Sequence, residues 1–224
     1  MRILCIDTSA GSAVALTSGR EVLARAASAD ERRHAETLSP MIEAVLSEAG
    51  LAPGDLDALA VGTGPAPFTG LRVGLVTART LARALGVPVH GVPSLDVLAR
   101  QVLDAAPDRE VLVATDARRR EVYWARYRAA GPDDVERLDG FEVAPAAQVA
   151  ASPATAGDVV LAGRGTVLYP DALPATAGVP GEVDPAVLAR LATARVARGA
   201  ELGTEPLYLR RPDVTPAAGR KRAT

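Results

Sequence analysis

Lysine is almost missing from this chain of 224 residues; it occurs once, at Lys221. That excludes a lysine nucleophile or a P-loop lysine from the body of the protein. Histidine occurs twice, as His34 and His90, and cysteine once, as Cys5. Metal and triad chemistry have few residues to draw on. A single thiol in an apolar strand pattern excludes an internal disulfide and fits a reducing cytoplasm, the expected location. No run approaches the roughly 18 apolar residues of a membrane span. The first residues lack a basic region followed by an apolar stretch, so no signal peptide is expected. A formal net charge of −2 gives no broad attraction to nucleic acid. What is abundant is apolar residues, 48% of the chain, enough for one large domain or two small ones.

The patterns alternate between strand and helix. RILCID, residues 2 to 7, is an apolar run ending in an aspartate. Residues 12 to 17 and 21 to 26 complete a three-stranded antiparallel meander. From about Glu31 to Ala49 the period becomes helical, and Gly50 suits its end. Residues 56 to 62 read as a strand. The glycine-rich turn GTGPAPFTGLRVG, residues 62 to 74, leads into a helix capped by Thr69 and stopped by Gly86 and Pro88. A short strand to Val92 and a helix capped by Ser94 follow. The stretch Ala105 to Asp108 is the expected boundary between lobes spanning residues 1–106 and 107–211. The second half opens as the first does, with strand, aspartate, tight turn and strand over residues 111 to 127. An offset of 109 lays Asp116 on Asp7, which suggests a repeat of pattern. A strand at Val159 to Ala162, the turn Gly163-Arg164-Gly165 and a helix from about Asp184 to Ala197 come next. Residues 145 to 157 and 170 to 182 are expected as surface loops, and 212–224 as an unfolded tail.

Several residues invite a chemical reading. Asp7-Thr8-Ser9 closes a strand before a small-residue hairpin, as a phosphate-and-metal loop does; the plainer alternative is an Asx cap. Asp116 is followed by Ala117-Arg118-Arg119-Arg120, too bulky for a second phosphate loop. Those arginines suit an RNA backbone or a partner carboxylate, or else form a solvated hairpin tip. His34 would need a second histidine four residues on to grip a metal, and Leu38 stands there. Two apolar stripes, His34, Leu38, Met41, Ile42 and Val45 on one helix and Leu71, Leu75, Ala78 and Ala82 on the next, exceed what one sheet face needs. They read as a partner interface, with ordinary core packing as the alternative.

Together, ILCIDTS, the helix of His34 with LSPMI, GTGPAPFTGLRVGLVTARTLA and DARRREVYWARY resemble the TsaB (YeaZ) family. The resemblance is firm over residues 1 to 128 and loose beyond, at LAGRG and PLYLRR. It implies an α/β, actin-like (ribonuclease H-like) fold of two related lobes. It also implies a non-catalytic role in installing threonylcarbamoyl on adenosine beside the anticodon of tRNA, paired with TsaD through the first two helices and completed by TsaE. On that reading Asp7, Thr8, Ser9, Asp116, Gly163 and Gly165 outline a vestigial nucleotide site. Many relatives read GPGSFTGLR where this chain has GPAPFTGLR; Ala66 and Pro67 make a phosphate cradle less apt. No cofactor of its own is expected, with ATP or ADP at a complex junction as an option, and a homodimer when alone. The rival readings are an independent actin-like ATPase or kinase, a zinc peptidase, and an RNA-binding module.

Overall fold

The computed structural model describes residues 1–30 and 33–210. The expected tail, 212–224, lies outside them. The meander forms as read: β1 (Arg2–Asp7), β2 (Ser12–Ser18) and β3 (Glu21–Ser28). After α1 (His34–Glu48) and a 3-10 turn (Pro53–Asp55) come β4 (Ala58–Gly62), α2 (Phe68–Leu85), β5 (Val89–Val92) and α3 (Ser94–Ala105). The first sheet has the order β3-β2-β1-β4-β5, antiparallel in its meander and parallel from β1 to β5.

β1 shows why this layer packs on both faces. Its four central residues are all buried, and alternation sends Leu4 and Ile6 one way, Ile3 and Cys5 the other. Leu4 and Ile6 meet α1 and α2; Ile3 and Cys5 meet α3 and a later helix. The lone thiol is therefore a core group, and burial pushes it well above its usual range.

The second half repeats the plan. β6 (Glu110–Asp116) pairs antiparallel with β7 (Glu121–Ala129) and parallel with β10 (Val159–Ala162). β8 (Val135–Arg137) and β9 (Glu142–Pro145) both pair with β7. Asp7 is registered against Ala13, and Asp116 against Val122; both pairs are related by the one offset of 109. The fold is α/β, with the strand–hairpin–parallel-strand unit present twice. Helix α6 (Ala186–Ala197) lies with α3 between the sheets, so Cys5, Val113, Tyr127 and Leu188 belong to one continuous core. No described helix is long and apolar enough to cross a membrane.

Residues 145 to 157 are not a plain surface loop. They hold α4 (Ala146–Ala150) and a 3-10 turn (Pro153–Thr155), and bury Ala146, Val149 and Ala154 beside Leu112 and Trp124. The spacing of Ala146 and Val149 is one helical turn, but their small side chains leave little trace in a Pro- and Ala-rich stretch.

Candidate functional site

A cleft of about 260 Å³ opens between the sheets, just under the ~300–1,000 Å³ usual for small-molecule sites. The loop after β1 (Thr8, Ser9, Ala10) and the starts of α1 (His34) and α2 (Pro67 to Gly70) form one wall. Thr115, Asp116, Arg118, Arg164 and the segment 181–183 form the other. The expected residues Asp7, Gly163 and Gly165 stand behind these walls.

Asp7 is 2% exposed, and its carboxylate is taken up by its own fold. Oδ1 accepts from the Ser9 amide at 2.8 Å and the Ser9 hydroxyl at 2.5 Å; Oδ2 accepts from the Ser94 hydroxyl at 2.6 Å. The Asx-type bond to Ser9 was legible in the sequence; Ser94, 87 residues away, was not. Ser94 is not a helix cap, because Pro93 occupies that position. Gly62 is required beside the pair: a Cβ there would lie 1.9 Å from Asp7 Oδ2. Burial raises the Asp7 pKa, and the bonds from Ser9 and Ser94 only partly offset it. A raised carboxyl pKa means stability that is full at low pH and declines as pH rises through the folded-state value. Asp7→Asn is therefore expected to lose little stability at pH 7 and to flatten this pH dependence, read by urea titration at several pH values. An Asn side chain can still accept from Ser9 and donate to Ser94.

Asp116 is engaged differently. The Arg118 amide reaches its Oδ1 at 2.8 Å, and the Arg118 guanidinium lies 3.1 Å from Oδ2. Arg118, Arg119 and Arg120 are exposed and sit at φ of 63°, 55° and 63°. This left-handed turn costs non-glycine residues about 1–2 kcal/mol each. Gly163 and Gly165 serve packing: added Cβ atoms would lie 2.4 and 2.9 Å from the Ala114 carbonyl. They let the short helix α5 (Arg164–Leu168) close onto β6.

The glycine-rich turn is pinned by the segment after α6, which the sequence showed only as PLYLRR. The Gly91 amide donates to Leu202 O at 3.1 Å and the Leu207 amide to Thr63 O at 2.9 Å. Tyr208 stacks on Phe68 at 4.7 Å, and Arg72 covers Phe68 at 3.5 Å while donating to the Tyr208 hydroxyl at 2.8 Å. Thr69 does not cap α2; Pro67 stands at the cap with no side-chain bond.

The two apolar stripes face inward. Leu38, Val45, Leu71, Leu75, Ala78 and Ala82 are 0–3% exposed, His34 and Ile42 are buried at 6% and 8%, and Met41 is half-buried. They form one core with Leu4, Ile6, Leu59 and Val61. Most of the two stripes packs against the sheet, while Ile42 also lines the outward side of the helix pair. The outward side of the helix pair is a separate groove of about 490 Å³, lined by Ser39, Ile42, Glu43, Leu46, Val76, Thr80, Leu81 and Ala84 among others. Val76 on its rim is 62% exposed.

The family described as TsaD: tRNA N6-adenosine threonylcarbamoyltransferase matches residues 21–172. The solved structure of YeaZ from Pseudomonas aeruginosa is 30% identical with a TM-score of 0.76, over 92% of this chain and 100% of that one. The chain belongs to the TsaB (YeaZ) family. An uncharacterized protein of Mycobacterium tuberculosis is 43% identical over 227 residues, 96% of this chain and 95% of that one. The Escherichia coli family member, named tRNA threonylcarbamoyladenosine biosynthesis protein TsaB, is 39% identical over 129 residues, 57% of this chain and 55% of its own. Within this TsaB-family chain, Leu38 fills the core where a second metal-binding histidine would stand. Among the described residues no three of His, Cys, Asp and Glu gather as a metal site.

Proposed function

We propose that this chain acts in the synthesis of threonylcarbamoyladenosine on tRNA, as a non-catalytic subunit that pairs with a TsaD-type transferase. One observation carries the non-catalytic half: both oxygens of Asp7 are bonded within the fold, behind the cleft, where neither phosphate nor a hydrated cation meets them. The Asp116 carboxylate is likewise occupied by Arg118. A carboxylate holding a nucleotide's hydrated cation would have to give up these bonds. The pairing half is supported by the outward groove, an apolar concavity with an exposed valine on its rim. A stable pair there would bury about 800 Å² per partner. The chain has no cofactor of its own, and a TsaE-type ATPase completes the assembly. The hairpin arginines Arg118, Arg119 and Arg120 offer the assembly a basic edge for the tRNA backbone.

Size-exclusion chromatography of this chain mixed with its TsaD-type partner tests the pairing. The reading predicts a single co-eluting species, and separate elution at micromolar concentrations rejects it. In the same assembly Asp7→Asn is expected to support wild-type tRNA modification; a loss of a hundredfold or more would return Asp7 to a chemical role.

A further inference from the structure

The wall of the cleft at the starts of α1 and α2 collects hydrogen-bond donors with nothing to receive them. α2 begins with no side-chain cap, and the amides of Phe68, Thr69 and Gly70 donate to no group among the described residues. An 18-residue helix concentrates partial positive charge there. The second observation is His34. It is 94% buried, since only 6% is exposed, and it lines the cleft with Thr69 and Gly70. Its Nδ1 meets the Ser12 hydroxyl at 3.0 Å, while Nε2 has no hydrogen-bond partner among the described residues. That free nitrogen is aimed at the first turn of α2: a Cβ on Gly70 would lie 2.7 Å from it. The opposite wall carries no net charge, because Asp116 pairs with Arg118 at 3.1 Å and Glu182 with Arg164 at 3.7 Å.

We infer that this corner of the cleft binds a small oxyanion, a phosphate or carboxylate group, between His34 Nε2 and the first-turn amides of α2, which begin after Ala66 and Pro67 and so survive the loss of a glycine-rich cradle there. In this site the Ser12 hydroxyl donates to Nδ1, which leaves the ring N–H on Nε2 to join the amides as a further donor. Gly70, lacking a Cβ, lets Nε2 lie against this turn at the edge of the cleft. The site is separate from Asp7, whose oxygens point toward Ser9, Ser94 and Gly62. It requires neither a metal nor catalysis. It therefore stands or falls apart from the pairing with a transferase.

The test is an NMR titration of the full ¹⁵N-labelled chain with inorganic phosphate and, separately, acetate, against chloride at matched ionic strength. Saturable shifts of the Thr69 and Gly70 amides and of the His34 ring are the predicted result. Saturation by both anions identifies a general oxyanion site, and saturation by phosphate alone narrows the ligand to phosphoryl groups. His34→Phe keeps the ring and removes the donor, and is expected to weaken binding about tenfold. Gly70→Ala sets a methyl against Nε2, pushes the ring off this turn and should abolish the shifts, with unchanged amide peaks in the second sheet confirming the fold. No saturable shift in the wild-type chain, or equal affinity in His34→Phe, would overturn the inference.

Discussion

Replacing Val76 with aspartate is expected to weaken pairing with the TsaD-type partner strongly while leaving the fold intact. Val76 is 62% exposed on the outer rim of the α1–α2 groove, and Leu81 is half-buried in its lining. A carboxylate at Val76 costs the free chain almost nothing, because water solvates it. In a closed interface it must be desolvated with no partner, which costs on the order of 2–3 kcal/mol. The expected loss is about a hundredfold in affinity. A matching fall in tRNA modification should follow at limiting concentration, with an unchanged circular dichroism spectrum and melting temperature. Leu38→Asp would look like the same experiment but test something else. Leu38 is 1% exposed beside Leu4 and Val61. Its aspartate would unfold the first lobe, and lost pairing would then say nothing about the surface.

The second large effect concerns the helix held between the sheets. Arg195 on α6 bonds Asp96 on α3 at 2.8 Å and Asp134, just before β8, at 2.9 Å, with both carboxylates 6% exposed. Asp96 also accepts from the Tyr127 hydroxyl at 3.0 Å. Arg195→Met is expected to cost about 3 kcal/mol, the lower end of the 3–5 kcal/mol for breaking a buried pair. The Tyr127 and Arg198 contacts to these aspartates remain and limit the loss. Burial already raises the Asp96 pKa, and Arg195 opposes that rise. Removing the cation lifts it further, so the deficit should be larger at pH 8 than at pH 5. Urea unfolding at the two pH values measures this. Arg128→Met, which breaks an exposed pair with Glu136, should leave the urea midpoint nearly unchanged.

The sequence carried the frame of this fold because its signals were local. β1, β2 and β4 are apolar runs bounded by turns, and α2 ends at Gly86, with φ of 69°, where a glycine and a proline mark the stop. The 109-residue offset also appears in the sheet register, since it depends only on where two aspartates close two strands. The site was less legible. Periodicity groups Leu38, Val45, Leu71 and Leu75 on common faces, but it does not say whether a sheet or another protein lies opposite. The first sheet's own apolar face answers that. The groove residues Val76, Thr80 and Ala84 are small or polar and gave no stripe to notice. The bonds that define Asp7 and His34 come from Ser94 and Ser12, serines that carry no distinguishing pattern. A run of three arginines signalled a loop but not its left-handed backbone, which the Asp116 contacts and the hairpin closure impose.

On the proposed reading this chain contributes a surface and no chemistry. Reconstituted modification of tRNA by purified TsaD-type and TsaE-type partners, with and without this chain, tests it most directly. Activity should be absent without the chain, return with wild-type or Asp7→Asn protein, and fail to return with Val76→Asp. Full activity in the chain's absence, or a requirement for the Asp7 carboxylate, would contradict it.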